Sequence, residues 1–194
     1  MGFSYLGDSY WLDITREERF FCAIAYNYIS KEPVKAIQFI NDKAKLGFGD
    51  KVINQEWEIG YEVALYRDLF HSLDKSLVAV AETEGEEGES KKYNLSKRTF
   101  DLCCFSEDAI IIIEAKAHGG FKTKQLESIK FDREYIPNLI GMNIKIKIVS
   151  LISSRYKPRN TTLACFDDKP LTWLDLEKEY NEPLFKKANE AFRQ

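Results

Sequence analysis

The 194-residue chain has few of the side chains that build zinc sites and disulfide frameworks. It contains 2 histidines and 4 cysteines, and no two cysteines have the CxxC spacing of a zinc or redox motif. Cys103 and Cys104 are neighbours, so they would point to opposite sides of a strand. This pattern gives no support to a zinc cluster and favours a reducing, cytoplasmic compartment.

Long hydrophobic runs are also missing. No aliphatic run is longer than residues 109–113, whereas a membrane span needs roughly 20 apolar residues. Residues 1–13 have neither the basic nor the apolar part of a secretory signal. We therefore expect no membrane partner, and the 44% hydrophobic content is enough to bury a core.

Charge is distributed unevenly along a chain whose net charge is only −3. Residues 1–90 contain 9 Lys and Arg against 17 Asp and Glu, whereas residues 91–160 contain 14 against 7. This basic middle third, between acidic flanks, could bind a polyanion such as nucleic acid. Ordinary solvated surfaces show similar asymmetry, so charge alone leaves nucleic-acid binding open.

Helical patterns occupy the first third of the chain. Thr15 and Glu18 have capping-box spacing ahead of an apolar segment, which predicts a buried helix. Pro33 and Gly47 suit the start and the end of a second helix. Residues 54–70 are predicted as a third helix because apolar residues recur there at helical spacing. These residues are Ile59, Val63, Tyr66 and Phe70.

The pattern then changes to that of strands. Residues 76–81 are short and apolar like a strand, and residues 82–90 are an acidic, glycine-containing loop. Two apolar runs at residues 98–105 and 109–116 are separated by three polar residues, which predicts a β-hairpin. Because both runs are apolar on both faces, we expect the sheet to be covered on each side.

The remainder alternates helix and strand. Helical spacing returns at residues 121–140, with stop signals at Pro137 and Gly141, and strict alternation at residues 144–148 predicts a half-exposed strand. Residues 163–166 resemble another short strand. A second capping box, formed by Thr172 and Asp175, predicts a last helix that reaches about residue 192.

This order predicts an α/β fold with a mixed sheet flanked by helices. We expect one domain over residues 1–194. Within it we distinguish an N-terminal helical extension (residues 1–50), a core (residues 54–153) and a C-terminal strand and helix (residues 154–194).

The predicted hairpin brings charged side chains together. If Glu107 and Asp108 form its turn, continuing the pairing places Asp101 directly opposite Glu114, on the same face of the sheet. Lys116 shares that face because it lies two residues beyond Glu114. A shift of one residue would send Asp101 to the other face.

The charged residues of the predicted hairpin directly follow a strongly apolar strand. Four consecutive isoleucines at residues 110–113 predict a buried strand, and the run ends abruptly at Glu114. Two acids at the mouth of an apolar sheet repel unless a positive charge lies between them. Mg²⁺ prefers oxygen ligands and is typically held by one or two carboxylates. Lys116 could then orient a water molecule or stabilise charge on a phosphate.

At these residues the sequence resembles the PD-(D/E)xK nuclease superfamily, which has the restriction-endonuclease-like fold. The resemblance lies in Asp101, followed after twelve residues by Glu114-Ala115-Lys116. It covers about half of the chain and implies a core of helix, strand, hairpin, helix and strand. Phe100 stands where the motif's name has proline, a residue that family members often lack.

The resemblance also implies roles for individual residues. Asp101, Glu114 and the carbonyl group of Ala115 would bind Mg²⁺, for which Mn²⁺ can substitute, and Lys116 would activate the attacking water. Many members carry a glutamate on the helix before the first strand. This suggests Glu62, with Glu58 one turn earlier as its competitor.

Further candidates follow the motif along the chain. Some subfamilies place a glutamine on the next helix, which suggests Gln125, although a solvated helix residue fits that pattern as well. Basic residues that could contact phosphates give affinity without base readout. The candidates on that helix are Lys122, Lys124, Lys130 and Arg133, and those ahead of the Asp101 strand are Lys91, Lys92, Lys97 and Arg98.

We therefore expect a Mg²⁺-dependent nuclease in which metal-activated water hydrolyses phosphodiester bonds, with DNA as the favoured substrate. Its catalytic residues would be Asp101, Glu114, Lys116 and Glu62, and cutting both strands would favour a homodimer. One alternative is a non-catalytic nucleic-acid-binding or assembly module on the same fold. Another is a domain of unrelated function, in which the hairpin has a different register.

Overall fold

A computed structural model describes residues 18–72, 80–84, 90–141, 143–167 and 169–193, with the backbone alone at residues 80–84, 90–94 and 96. Thr15, and with it half of the first predicted capping box, lies outside the described residues. The described helices are α1 (Glu18–Ile29), α2 (Pro33–Ala44), α3 (Asp50–Ile53), α4 (Leu65–Ser72), α5 (Thr123–Ile140), α6 (Asn160–Leu163), α7 (Trp173–Tyr180) and α8 (Pro183–Glu190). The described strands are β1 (Glu58–Val63), β2 (Val80–Glu84), β3 (Ser90–Asn94), β4 (Phe100–Phe105), β5 (Ala109–Lys116), β6 (Lys145–Ile152) and β7 (Leu171–Thr172).

A mixed sheet with the order β1-β4-β5-β6-β7 forms the centre of the fold. Its first three strands are antiparallel, and β6 and β7 continue the sheet in parallel with β5. Strands β2 and β3 form a separate antiparallel hairpin. The predicted α/β class with a mixed sheet is confirmed.

The predicted hairpin register is confirmed from Phe105 to Leu102, whereas the predicted pair of Asp101 and Glu114 is not part of the observed pairing. The backbone N–H of Ser106 donates to the carbonyl oxygen of Ala109 at 2.9 Å, and the pairing then continues to Leu102 opposite Ile113. Cys103 and Cys104 are neighbours in β4, and they pack in hydrophobic clusters on opposite faces of the sheet, as strand alternation requires.

Helices cover both faces of the sheet, as its two-sided apolar strands predict. Helices α1, α2, α7 and α8 pack on the face that includes Leu102, Ile113 and Ala115. Helices α4 and α5 pack on the opposite face, over Phe100 and Ile112. Every residue of β5 before Lys116 is buried. The charged residues at the end of this strand therefore follow directly after the apolar core.

The third predicted helix is largely wrong. Residues 58–63 form strand β1, which pairs with β4, and the helix covers only Leu65–Ser72. The apolar residues that seemed to share one helical face are divided by the sheet. Ile59 packs against the cluster on one side, and Tyr66 and Phe70 belong to the cluster on the other. The helical spacing of apolar residues thus arose from a strand followed directly by a helix, and not from one continuous helix.

The region after α4 also differs from its prediction. The backbone of residues 82–84 lies in β2 and that of Ser90 in β3, so these residues are not part of a loop. Residues 76–79 and 85–89 lie outside the described part of the chain. The first strand of the central sheet is therefore β1, and not residues 76–81.

Helix ends account for several smaller differences. Helix α2 ends before Gly47, because Lys45 takes the left-handed C-cap conformation and donates its N–H to the carbonyl of Asn41. Helix α5 continues through Pro137 to Ile140, where Gly141 is the left-handed C-cap. Lys145, the first residue of β6, is exposed, Ile146 and Lys147 are half-buried, and the rest of the strand is buried.

The C-terminal region is more helical and more divided than predicted. Residues 160–163 form helix α6, so the short strand expected at residues 163–166 is wrong. The last predicted helix is split in two, because Asn181 adopts a left-handed φ of 51° and Pro183 begins α8. No described helix is both long enough and apolar enough to cross a bilayer.

The second predicted capping box is present at the start of α7 and allows a test of the fold. The Asp175 N–H donates to Thr172 Oγ1 at 3.1 Å, and the Thr172 N–H donates to the Asp175 carboxylate at 3.0 Å. We expect Thr172→Ala to lower the free energy of unfolding by about 1 kcal/mol, measured by urea titration. Thr161→Ala, at an exposed threonine of α6, is the control; an equal effect of both changes would contradict the assigned cap.

Candidate active site

Several predicted site residues line one cleft at the carboxyl end of β5. The cleft has a volume of about 710 Å³ and is lined by Asp101, Lys116, Gln125 and Lys122, together with Glu18 and Arg19 from α1. The loop after β5 closes its remaining side. Residues from the start of the chain and from the β4–β5 hairpin therefore meet at one point on the surface.

Asp101 sits where β4 departs from regular alternation. Phe100 and Leu102 would share a face in a regular strand, yet they pack in clusters on opposite sides of the sheet. The Asp101 carboxylate accepts the backbone N–H of Ala115 on β5 at 2.8 Å. Burial raises the pKa of Asp101, and the Ala115 N–H and the Lys116 ammonium act against that rise.

Glu114 lies beneath the cleft and is only 2% exposed. Its Oε1 accepts from Arg98 Nη2 at 2.8 Å, and its Oε2 accepts from Gln125 Nε2 at 3.4 Å. Burial raises the pKa of Glu114 to about 7, against the opposing effect of Arg98. Hydrogen bonds thus hold the carboxylate in place, but burial makes its ionised form unfavourable.

Arg98 joins Glu114 to a second buried acid on α5. Its Nη2 also donates to Asp132 Oδ2 at 2.7 Å, and Asp132 accepts a further hydrogen bond from the Tyr66 hydroxyl. Burial raises the pKa of Asp132. In the sequence, Arg98 stands out only as one of several basic residues, and Asp132 was not assigned to the site. The available signal was the position of Asp132 between Ile129 and Ile136, on the buried side of α5.

Lys116 is fixed by a glutamate that the sequence analysis also missed. Its Nζ donates to Glu18 Oε1 at 2.9 Å and to the carbonyl oxygen of Ala115 at 2.8 Å. The other oxygen of Glu18 accepts the Ala117 N–H at 2.9 Å. Glu18 was noticed only as part of a capping box, because no local pattern relates it to a lysine 98 residues away.

Glu62 reaches the site from a strand, so its predicted location on a helix is wrong. The pairs Tyr61–Leu102 and Val63–Phe100 flank it, which places it opposite Asp101. It has a left-handed φ of 52° and forms a salt bridge with Arg19 at 3.2 Å. Glu58, its competitor, pairs with Phe105 at the far end of β1, away from the cleft.

The predicted nucleic-acid contacts have different surroundings. Lys122 and Gln125 line the cleft, Lys124 is exposed, and Lys130 lines a neighbouring cleft. Arg133 instead supports the fold, because its guanidinium donates to the Ala164 carbonyl at 3.0 Å and pairs with Asp167 at 3.3 Å. The side chains of Lys91 and Lys92 lie outside the described residues.

The donor atoms at the cleft suit a hard cation. Asp101, Glu114 and the Ala115 carbonyl offer only oxygen, the ligand that Mg²⁺ prefers. Within the described residues, no three His, Cys, Asp or Glu side chains are grouped as a metal site. Burial raises the pKa of both Asp101 and Glu114, and a cation beside them would reverse that rise. The chemistry of these donors therefore fits a Mg²⁺ ion.

No known protein-family model, curated protein or solved structure matches this chain.

The buried cation leads to a prediction about stability. Arg98→Ala leaves Glu114 and Asp132 in the core without their counter-charge, so we expect the free energy of unfolding to fall by about 3–5 kcal/mol. Urea titration measures the change. The control is Arg133→Ala, which removes an exposed pair and should cost at most about 1 kcal/mol. Similar losses for both variants would contradict the role assigned to Arg98.

The raised pKa of Glu114 predicts a dependence of stability on pH. Between its ordinary pKa of 4.5 and about 7, the folded protein holds a proton that the unfolded chain has lost. The free energy of unfolding should therefore fall as pH rises through this range, by up to about 3 kcal/mol from this group. Glu114→Gln should flatten that fall in metal-free urea titrations. Glu107→Gln, at the exposed hairpin turn, should leave it unchanged, and an unaltered slope in Glu114→Gln would refute the assignment.

Proposed function

We propose that this protein is a Mg²⁺-dependent nuclease with a restriction-endonuclease-like fold, and that it hydrolyses phosphodiester bonds of DNA. The observation that carries the proposal is the meeting of Asp101, Glu114 and Lys116 at one end of the β4–β5 hairpin, beside a cleft that also contains Lys122. Carboxylates next to cations at a surface cleft are suited to a metal ion and a phosphate together.

The metal would be held by Asp101, Glu114 and the carbonyl oxygen of Ala115. When bound, Mg²⁺ supplies Lewis-acid stabilisation of phosphate charge and lowers the pKa of water. Arg98 keeps Glu114 oriented through the hydrogen bond at 2.8 Å. The Ala115 N–H does the same for Asp101 at 2.8 Å, so both acids are positioned before any ligand enters.

Lys116 is the group of this chain placed to act on the attacking water. Its Nζ lies between the Ala115 carbonyl and Glu18, on the wall of the cleft. From there the ammonium can orient a water molecule and stabilise the negative charge that grows on the phosphate. Glu18 holds the ammonium in that place, and Lys122 adds a second positive charge for the substrate.

Two further features bear on the cellular location and the oligomeric state that go with the proposed activity. The four cysteines are free and buried, in keeping with a reducing, cytoplasmic location. One cleft of this kind serves one scissile phosphate, so cutting both strands of a duplex favours a homodimer.

One observation favours a second candidate function, a nucleic-acid-binding or assembly module without catalysis. Glu114 is already paired with Arg98, and Lys116 is already paired with Glu18. If these ion pairs persist with DNA bound, the protein itself neutralises Glu114, and Lys116 is not free to act on a water molecule. Binding would then show a steep salt dependence without turnover.

Nicking of supercoiled plasmid tests the proposed activity. We expect cleavage with Mg²⁺ or Mn²⁺ and none with EDTA. Because Asp101 and Glu114 hold the metal and Lys116 acts on the water, Asp101→Asn, Glu114→Gln and Lys116→Ala should each reduce the rate by at least about 100-fold. Gel electrophoresis over a time course measures the rates.

Glu107→Gln is the matched control, since it removes an exposed acid at the opposite end of the same hairpin. It should cleave like the unaltered protein. Cleavage that survives Glu114→Gln would refute the assigned site. DNA binding without metal-dependent cleavage of plasmid, linear, single-stranded or RNA substrates would favour the binding module.

A further inference from the structure

A second cleft lies beside the candidate active site and is markedly basic. It has a volume of about 450 Å³ and is formed by α5 and by the segment that follows β6. Three cations, Lys130, Lys157 and Arg159, line it, together with a single carboxylate, that of Glu127. Three threonines and Tyr156, which carry hydroxyl groups, also line it. The lining thus offers positive charge and hydrogen-bond donors, on a protein whose net charge is −3.

These cations are not used to hold the fold together. In the part of the chain that the structure describes, the side chains of Lys130 and Arg159 have no hydrogen-bond or salt-bridge partner. The Lys157 ammonium has one long contact, 3.5 Å to the Ser154 carbonyl. By contrast, Arg98 and Arg133 form salt bridges with carboxylates. Three exposed, uncommitted cations around a concave surface suit an anionic ligand.

The basic cleft adjoins the cleft at Asp101. Gly120 lines the active-site cleft and Tyr156 lines the basic cleft, and they touch: a Cβ at Gly120 would lie 2.7 Å from the Tyr156 hydroxyl oxygen. Lys122 of the first cleft and Lys130 of the second are eight residues apart, which is about 12 Å along a helix axis. One DNA strand carries a phosphate about every 3.4 Å of duplex axis, so roughly three phosphates span that distance.

We propose that the basic cleft binds the phosphate backbone of the same nucleic-acid strand whose scissile phosphate enters the active-site cleft. This inference rests on the proposed nuclease function and adds the path of the substrate. Lys130, Lys157 and Arg159 contact phosphates a few nucleotides from the point of cleavage. These contacts increase affinity and orient the strand in the cleft, but they do not distinguish one base sequence from another.

Fluorescence anisotropy with labelled duplex and single-stranded DNA, in EDTA, tests the path without any cleavage. The triple variant Lys130→Ala, Lys157→Ala, Arg159→Ala should bind on the order of tenfold more weakly. The plot of log affinity against log salt concentration should become shallower, with a slope smaller in magnitude by about 2–3. Circular dichroism and urea titration check that the variant remains folded.

The matched control removes the same charge elsewhere. Lys178, Lys186 and Lys187 are exposed on α7 and α8, and their triple replacement by alanine should leave both affinity and salt slope close to those of the unaltered protein. Equal losses in the two triple variants would overturn the inference, because the effect would then be one of net charge alone.

Two further results separate the possibilities. A 5′-mononucleotide that competes as strongly as an oligonucleotide of equal concentration would overturn the inference, because it would make the cleft a nucleotide site. Plasmid nicking by the lysine-and-arginine triple variant at the unaltered rate, with unaltered binding, would overturn this inference and leave the nuclease function standing. Weaker binding in that variant, alongside an unaltered protein that never cleaves, would support the path and contradict the nuclease function alone.

Discussion

Arg98 holds two acids in the interior of the protein, Glu114 at 2.8 Å and Asp132 at 2.7 Å, and both acids are almost fully buried. Charges are costly in such a place unless they are paired and hydrogen-bonded, so each of these groups depends on the others. The network connects β5 to α5 and, through Tyr66, to α4. The position of the candidate site relative to the sheet and its helices is therefore fixed by buried electrostatics as much as by apolar packing.

Above this network, the surface of the site is assembled from distant parts of the chain. Helix α1 contributes Glu18, β1 contributes Glu62, and the hairpin contributes Asp101 and Lys116. The Asp101 carboxylate accepts a hydrogen bond from the backbone of β5, and Lys116, at the end of β5, is partly exposed. The result is a row of charges above an apolar sheet, with a second basic cleft beyond it.

The central hairpin could be predicted because its information is local. A polar turn and the strand alternation determine the register, and the observed pairing follows it from Phe105 to Leu102. Strand β1 could not be predicted, because a strand followed by a helix produced apolar residues at helical spacing. Glu18 and Asp132 could not be assigned either. Their partners, Lys116 and Arg98, are 98 and 34 residues away, and only tertiary structure relates them.

Hydrolysis in water enriched in ¹⁸O tests the central claim most directly. The unaltered protein would be incubated with Mg²⁺ and DNA, beside Asp101→Asn, and the fragment ends analysed by mass spectrometry. Attack of water on phosphorus predicts one ¹⁸O atom in each new terminal phosphate, with no fragments from the variant. Fragments that lack the label, or a variant that produces labelled ends at the same rate, would contradict the account.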